Sequence, residues 1–297
     1  MSDRVLVTGA GGFAGPHVLA ELAERAVVSE ADVTDPEALA GELRATLPAA
    51  VCHLAASSSV ADSWRSGAET WRVNALGTVV LLDAVRDEAP RARTLVVSTG
   101  EVYGPTAEGP AREDAPTAPL SPYAASKAAA ELAAGRAARA DGLDVVVARP
   151  FQHAGPGQDE RFAIGSWTRQ IARLEERDGG ELEVGDLTVR RDLTDVRDVA
   201  RAYRLLLDPG IPAGTYNVCT GRAVALADVV EKLVGLARAP IAVRQNLARA
   251  RRVDVPVLAG DPARIEAATG WRAEIPLERT LADALDEARR ALREEAE

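Results

Sequence analysis

The sequence predicts an α/β protein: a doubly wound parallel sheet of the Rossmann type, followed by a smaller C-terminal domain. Three observations predict it. Short apolar, β-branched runs alternate with longer helical patterns up to Pro150, as parallel strands covered on both faces do. A glycine-rich turn, GAGGFAG, joins the first apolar run to the first helical pattern. After Pro150 the alternation loosens into mixed elements with longer loops. A length of 297 residues fits two domains or one large α/β unit.

The elements follow in order. RVLVT (4–8) reads as a buried strand and PHVLAELAER (16–25) as an amphipathic helix. AVV (26–28) is a weak second strand, PEALAGELRATL (36–47) a helix and AVCHLAA (50–56) a third strand. A long helix at 69–88 leads to strand TLVVST (94–99). A second long helix at 121–140, opened by Ser121 as N-cap and Pro122 as first helical residue, leads to strand DVVVARP (144–150). Beyond it, 187–207 still reads as sheet and helix, and further helices are expected at 227–237 and 281–295. The first domain is therefore 1–150 with about 187–209, and the smaller one is 151–186 with 210–297.

Composition narrows the function. There are 35 Lys and Arg against 45 Asp and Glu, a net charge of −10, which argues against nucleic acid or an anionic membrane as partner. Cys52 and Cys219 lie far apart, in no CxxC or Cys/His cluster, so no metal site is expected. They read as buried thiols of a cytoplasmic protein. MSDRVLVTG shows none of the regions of a secretory signal peptide, and no apolar run approaches the length of a membrane span.

Gly9, Gly12 and Gly15, with Phe13 and Ala14 between them, sit at the first strand-to-helix junction. One glycine permits the tight turn, another a close approach to a pyrophosphate, and the last close packing of helix on strand. The helix N-terminus then offers unpaired N–H groups to the phosphates. This predicts a dinucleotide, NAD or NADP. An acidic residue about 20 positions on would mark NAD; Glu30 lies in that region with no basic residue near it, and Asp32 and Val33 are expected beside the adenine ring. The choice between the two cofactors stays open.

Tyr123 and Lys127 are four apart on one helix, so they share a face. An ammonium beside a phenol favours the phenolate, and such a tyrosine can exchange a proton with a substrate oxygen. The alternative is a chance pair on a solvated face. Thr99, at the carboxyl end of its strand, is placed to hydrogen-bond the same oxygen or is a plain strand residue. His17 and His53 read as packed or capping histidines, Asn74 as a backbone clamp or an ordinary helix residue, and Trp64, Trp71, Trp167 and Trp271 as packing anchors.

In this order the glycine turn, HLAA (53–56), VNxxGT (73–78), STGEVYG (98–104), YxxxK (123–127) and ARPFQHAGPG (148–157) resemble the extended short-chain dehydrogenase/reductases, the NAD-dependent epimerase/dehydratase family. SSSVADSW (57–64), RPFQHAGPGQ (149–158), the stretch 184–203 and above all 251–281 are similar to its GDP-4-keto-6-deoxy-D-mannose reductases. The resemblance implies a cytoplasmic oxidoreductase with an NAD(P)-binding Rossmann domain and a C-terminal substrate-binding domain. It implies Thr99, Tyr123 and Lys127 as catalytic residues. Leu54, Ala55, Ala56, Ser98, Pro150 and His153 would join the glycine turn at the cofactor. Ser58, Glu101, Gln152, Arg191 and Arg251 would meet a nucleotide-diphosphate sugar, the two arginines at its diphosphate. Gln152 stands where Asn is usual in that group, and Ala154 where Thr is usual. In the family's 4,6-dehydratases Asp-Glu follows the catalytic Thr; here the pair is Gly100-Glu101.

The implied reaction is reduction of a C4 keto group, GDP-4-keto-6-deoxy-D-mannose to GDP-D-rhamnose. The alternatives are a 4-epimerase or 4,6-dehydratase with tightly held NAD, or a silent NAD(P)-sensing protein. Family members pair two helices per subunit into a four-helix bundle, so a homodimer through 69–88 and 121–140 is expected.

Overall fold

The computed structural model describes residues 3–106, 109–246 and 255–296. The first part runs β1 (Val5–Thr8), α1 (Gly15–Leu22), β2 (Ala26–Val28), α2 (Pro36–Thr46), β3 (Ala50–His53), α3 (Val60–Ser63), α4 (Gly67–Trp71), α5 (Gly77–Glu88), β4 (Arg93–Val97), α6 (Pro122–Ala140) and β5 (Val145–Pro150). The second runs β6 (Gln152–Ala154), α7 (Ala163–Glu175), β7 (Gly180–Val184), β8 (Arg190–Asp195), α8 (Val196–Leu206), β9 (Gly214–Val218), β10 (Ala223–Ala225), α9 (Leu226–Gly235), β11 (Ile241–Gln245), β12 (Val257–Leu258), α10 (Ala263–Thr269) and α11 (Leu277–Ala296).

Six strands form the main sheet in the order β2-β1-β3-β4-β5-β9, and every pair is parallel. The order reverses between β1 and β3, the switch point where the carboxyl ends of the strands open a crevice. The strands are apolar because both faces are covered. On one face Val5, Val7, Val146 and Val218 pack with α1, α8 and Trp271. On the other Leu6, Val51 and Val96 pack with α2, α5 and α6. Asp35 caps α2 by accepting from the N–H groups of Glu37 and Ala38, and Ser121 caps α6 by accepting from Ala124 N.

The expected Rossmann-type sheet is present, and two strand assignments differ. Residues 214–218, placed by the sequence in the smaller domain, extend the main sheet as β9 beside β5. Conversely β8, expected with the first domain, pairs with β6, β10 and β12 in a second sheet; only the following α8 packs on the main core. The strands of that second sheet other than β8 have two or three residues, too few for a period of two to show. A third core joins α7, β7, α9 and α11 through Trp167, Ile171, Leu182, Leu233 and Leu285.

The expected helix at 69–88 is interrupted. Arg72–Leu76 form one π turn between α4 and α5, and Asn74 sits in it fully buried. Trp71, expected as a packing anchor, is 44% exposed.

Candidate active site

The carboxyl edge of the main sheet opens into a cleft of about 1170 Å³ that continues against β6, α7 and α11. Its floor begins at the glycine turn. Gly9 has φ +70°, and a Cβ there would lie 2.5 Å from the Ala55 backbone. A Cβ on Gly15 would lie 1.9 Å from the carbonyl oxygen of Ala10, so α1 rests directly on the turn. A Cβ on Gly12 would meet the Gly9 oxygen at 3.3 Å, and one on Gly11 would meet nothing within 4 Å. Two glycines are thus required by packing, and Gly11 faces open space, a cradle that a side chain would fill.

Phe13, Ala14, Leu54, Ala55, Ala56, Ser98, Pro150 and His153 all line this half of the cleft. The His153 ring stacks on Phe13 at 5.7 Å, and its Nδ1 lies 3.1 Å from the Phe151 oxygen, to which it donates. Burial lowers the His153 pKa, because it disfavours the charged ring. His17 Nε2 donates to the Pro156 oxygen at 3.0 Å. Asp32 and Val33 do not line the cleft. Asp32 accepts from Thr34 N and Oγ1 at 2.9 and 2.8 Å, bonds that hold its carboxyl below the usual range. Val33 is buried against Gly77.

Thr99, Tyr123 and Lys127 line the middle of the cleft together. Lys127 is 3% exposed and donates to the Val97 oxygen at 2.7 Å; burial pushes its ammonium down to about 8, against an upward pull from Glu131. Thr99 Oγ1 accepts from Glu101 N at 3.2 Å. Glu131, one turn after Lys127, accepts from Ser98 Oγ and holds Arg149 by bonds of 2.9 and 2.6 Å. Arg149 also donates to Tyr103 Oη at 2.7 Å. This buried pair ties α6 to the ends of β4 and β5.

A second polar chain lies beneath. Thr78 Oγ1 donates to the Asn74 oxygen at 2.7 Å, so it must accept from His53 Nε2 at 3.1 Å. His53 Nδ1 then accepts from Thr8 Oγ1 at 2.8 Å. Burial, with the Lys127 charge, lowers the His53 pKa to about 3. Asn74 accepts from Ser57 N at 2.8 Å and donates to Ser57 O and Ser126 Oγ at 3.1 and 2.9 Å. His53 and Asn74 are clamps that hold the loop after β3 against α6.

Ser58, Glu101, Gln152 and Arg191 line the outer half. Arg191 is anchored through Nη1, which donates to Arg190 O and Val255 O at 2.8 and 2.6 Å. Arg251 lies outside the described residues. The sequence reading missed part of this wall: Arg161, Trp167, Glu183, Asp186, Tyr203 and Glu287. Glu287 belongs to α11, whose alternating charges look like a solvated face. Gly100 has no room for a side chain, since a Cβ would fall 2.8–2.9 Å from the Phe151 ring. Among the described residues no group of three or more His, Cys, Asp or Glu could hold a metal, and no helix is long and apolar enough to cross a membrane.

The family model for GDP-mannose 4,6 dehydratase matches residues 19–284. The chain belongs to this family of extended short-chain dehydrogenase/reductases. The GDP-6-deoxy-D-mannose reductase of Pseudomonas aeruginosa is 39% identical over 305 aligned positions, covering 99% of this chain and 100% of that one. The structure of RMD from P. aeruginosa complexed with NADPH superposes with a TM-score of 0.89, at 38% identity and 98% and 99% coverage of the two chains. The UDP-glucose 4-epimerase of Thermus thermophilus, solved with NAD, gives 0.84 at 28% identity, with 96% and 99% coverage. The family's relatives are NAD(P)-dependent enzymes.

Proposed function

We propose that the chain reduces the C4 keto group of a nucleotide-diphosphate 4-keto-6-deoxy sugar, GDP-4-keto-6-deoxy-D-mannose to GDP-D-rhamnose. The observation that carries this reading is Thr99, Tyr123 and Lys127 along one cleft in which Gly100 replaces one acid of the Asp-Glu pair that the resemblance implies for dehydration, leaving Glu101 alone. A bound nicotinamide supplies the hydride that C4 receives. Tyr123 gives its proton to the oxygen at C4, so that ketone becomes alcohol with hydride and proton both accounted for. Lys127, held on Val97 O, stabilises the phenolate left behind and reaches the nicotinamide ribose. Thr99 orients the carbonyl with its hydroxyl. Ser58, Glu101 and Gln152 meet the sugar and diphosphate, with Arg191 and Arg251 supplying charge. The glycine turn, with 54–56, Ser98, Pro150 and His153, holds the cofactor.

The test is loss of reduced-cofactor absorbance on adding the keto sugar. Tyr123→Phe should cut kcat by ~10²–10⁴-fold, the usual share of a general acid, while nucleotide binding persists. Near-native turnover by that variant would sink the assignment. Turnover with retained NAD and no net oxidation would indicate an epimerase or dehydratase; binding without turnover of any keto sugar would indicate a sensor.

Two further readings go with it. The subunit forms a homodimer through the helices at 69–88 and 121–140, supported by the exposed Leu76 (51%) and Leu132 (73%). It works in the cytoplasm, supported by the two buried free cysteines.

A further inference from the structure

We propose that Glu42 makes this chain select NADH over NADPH, by filling with its own carboxylate the loop where a 2′-phosphate would have to sit. The inference rests on the dinucleotide reading above. Ser29 directly follows β2, and its N–H donates to Val7 O at 2.9 Å, so the loop after β2 rises beside the strand that feeds the glycine turn. A residue at the end of this second strand, about 20 positions beyond the first glycine, faces the adenosine ribose in such folds. Ser29, Glu30 and Ala31 hold that place.

Three donors of this loop converge on one point. Ser29 Oγ donates to Glu42 Oε2 at 2.5 Å, and the N–H groups of Glu30 and Ala31 donate to Oε1 at 2.8 and 3.0 Å. Successive backbone N–H groups with a hydroxyl beside them form a concave anion site. Here α2 delivers a carboxylate into it, so the donors a phosphate would need are taken. Glu30 adds a second, exposed carboxylate to the same loop. No Lys or Arg occurs from position 26 to 43. Of the arginines around the region, Arg25 donates to Asp3 O at 3.1 Å, Arg44 pairs with Glu88, and Arg72, which reaches the segment at Thr34, is held by both carboxylate oxygens of Glu69. A 2′-phosphate would therefore meet two carboxylates with its donors already engaged, whereas a 2′-hydroxyl can donate to either. Specificity of this kind comes from rejecting the wrong ligand.

The experiment titrates the full chain with NADH and with NADPH by calorimetry, without sugar. The native protein should bind NADH at least about tenfold more tightly, a like-charge penalty of ordinary size. Glu42→Gln keeps the shape and removes the charge; it should tighten NADPH about tenfold or more and leave NADH nearly unchanged. Equal or tighter binding of NADPH by the native chain overturns the inference. A native preference for NADH that Glu42→Gln leaves untouched removes Glu42 from it. Binding of neither nucleotide overturns instead the cofactor reading on which it stands.

Discussion

Alanine substitutions through the glycine turn should separate packing from binding. At Gly15 the added carbon would sit 1.9 Å from the Ala10 oxygen, against a comfortable contact of about 3.5 Å. Both groups are backbone, so α1 must move by roughly 1.5 Å relative to the turn, an overpacking cost of about 3 kcal/mol or more. At Gly9 the strain of a left-handed residue, about 1–2 kcal/mol, adds to a 2.5 Å overlap with Ala55. At Gly11 the carbon meets nothing within 4 Å, so stability should change by less than about 0.5 kcal/mol. Gly11→Ala should instead weaken the dinucleotide, because its methyl group enters the cleft. Denaturant melts give the first quantity and NADH titration the second. For a chain of this size, about 3 kcal/mol corresponds to roughly 5–10 °C in melting temperature. A Gly15→Ala protein that melts like the native one, or a Gly11→Ala protein destabilised as much as Gly15→Ala, refutes the reasoning.

Acid should act through His53, whose folded pKa is about 3 against an ordinary 6.5. The unfolded chain takes up a proton that the folded one refuses, so stability falls as pH drops from 6.5 towards 3, by up to about 5 kcal/mol in total. His53→Gln should flatten that slope in pH-dependent melts, and an unchanged slope rejects the clamp. Lys127, at about 8 against 10.5, has the same sign at the other end: stability rises as pH climbs between those values, because the buried ammonium is relieved. Leu132→Glu should shift light-scattering mass from dimer to monomer at micromolar concentration, and a native monomer would reject the bundle.

Much of this molecule was readable because its signals are local. The strands around Leu6, Val51 and Val146 are apolar throughout because both faces are buried, and the glycine turn and the Tyr123/Lys127 spacing each fall within one junction or one helical turn. What escaped depends on distant chain segments. GTYNV at 214–218 has a weak strand pattern, and only pairing with β5 makes it part of the main sheet. Glu287 reaches the cleft because α11 packs on α7 through the third core, which no spacing within its own helix reveals. Position 100 was legible as a missing acid; that Phe151 occupies its space was not.

The π turn at 72–76 has a bearing on how this chain tolerates insertions and deletions. Removing one residue there would restore an unbroken α-helix, which propensity alone favours. It would leave the helix downstream almost in phase, because five residues in a π turn sweep about the angle that four sweep in an α-helix, but it would displace Asn74, which holds the Ser57 backbone and Ser126. The irregular turn is thus the device that brings Asn74 inward between two stretches of helix, and deleting one residue in this segment should loosen the loop after β3 even though the helix itself would become regular.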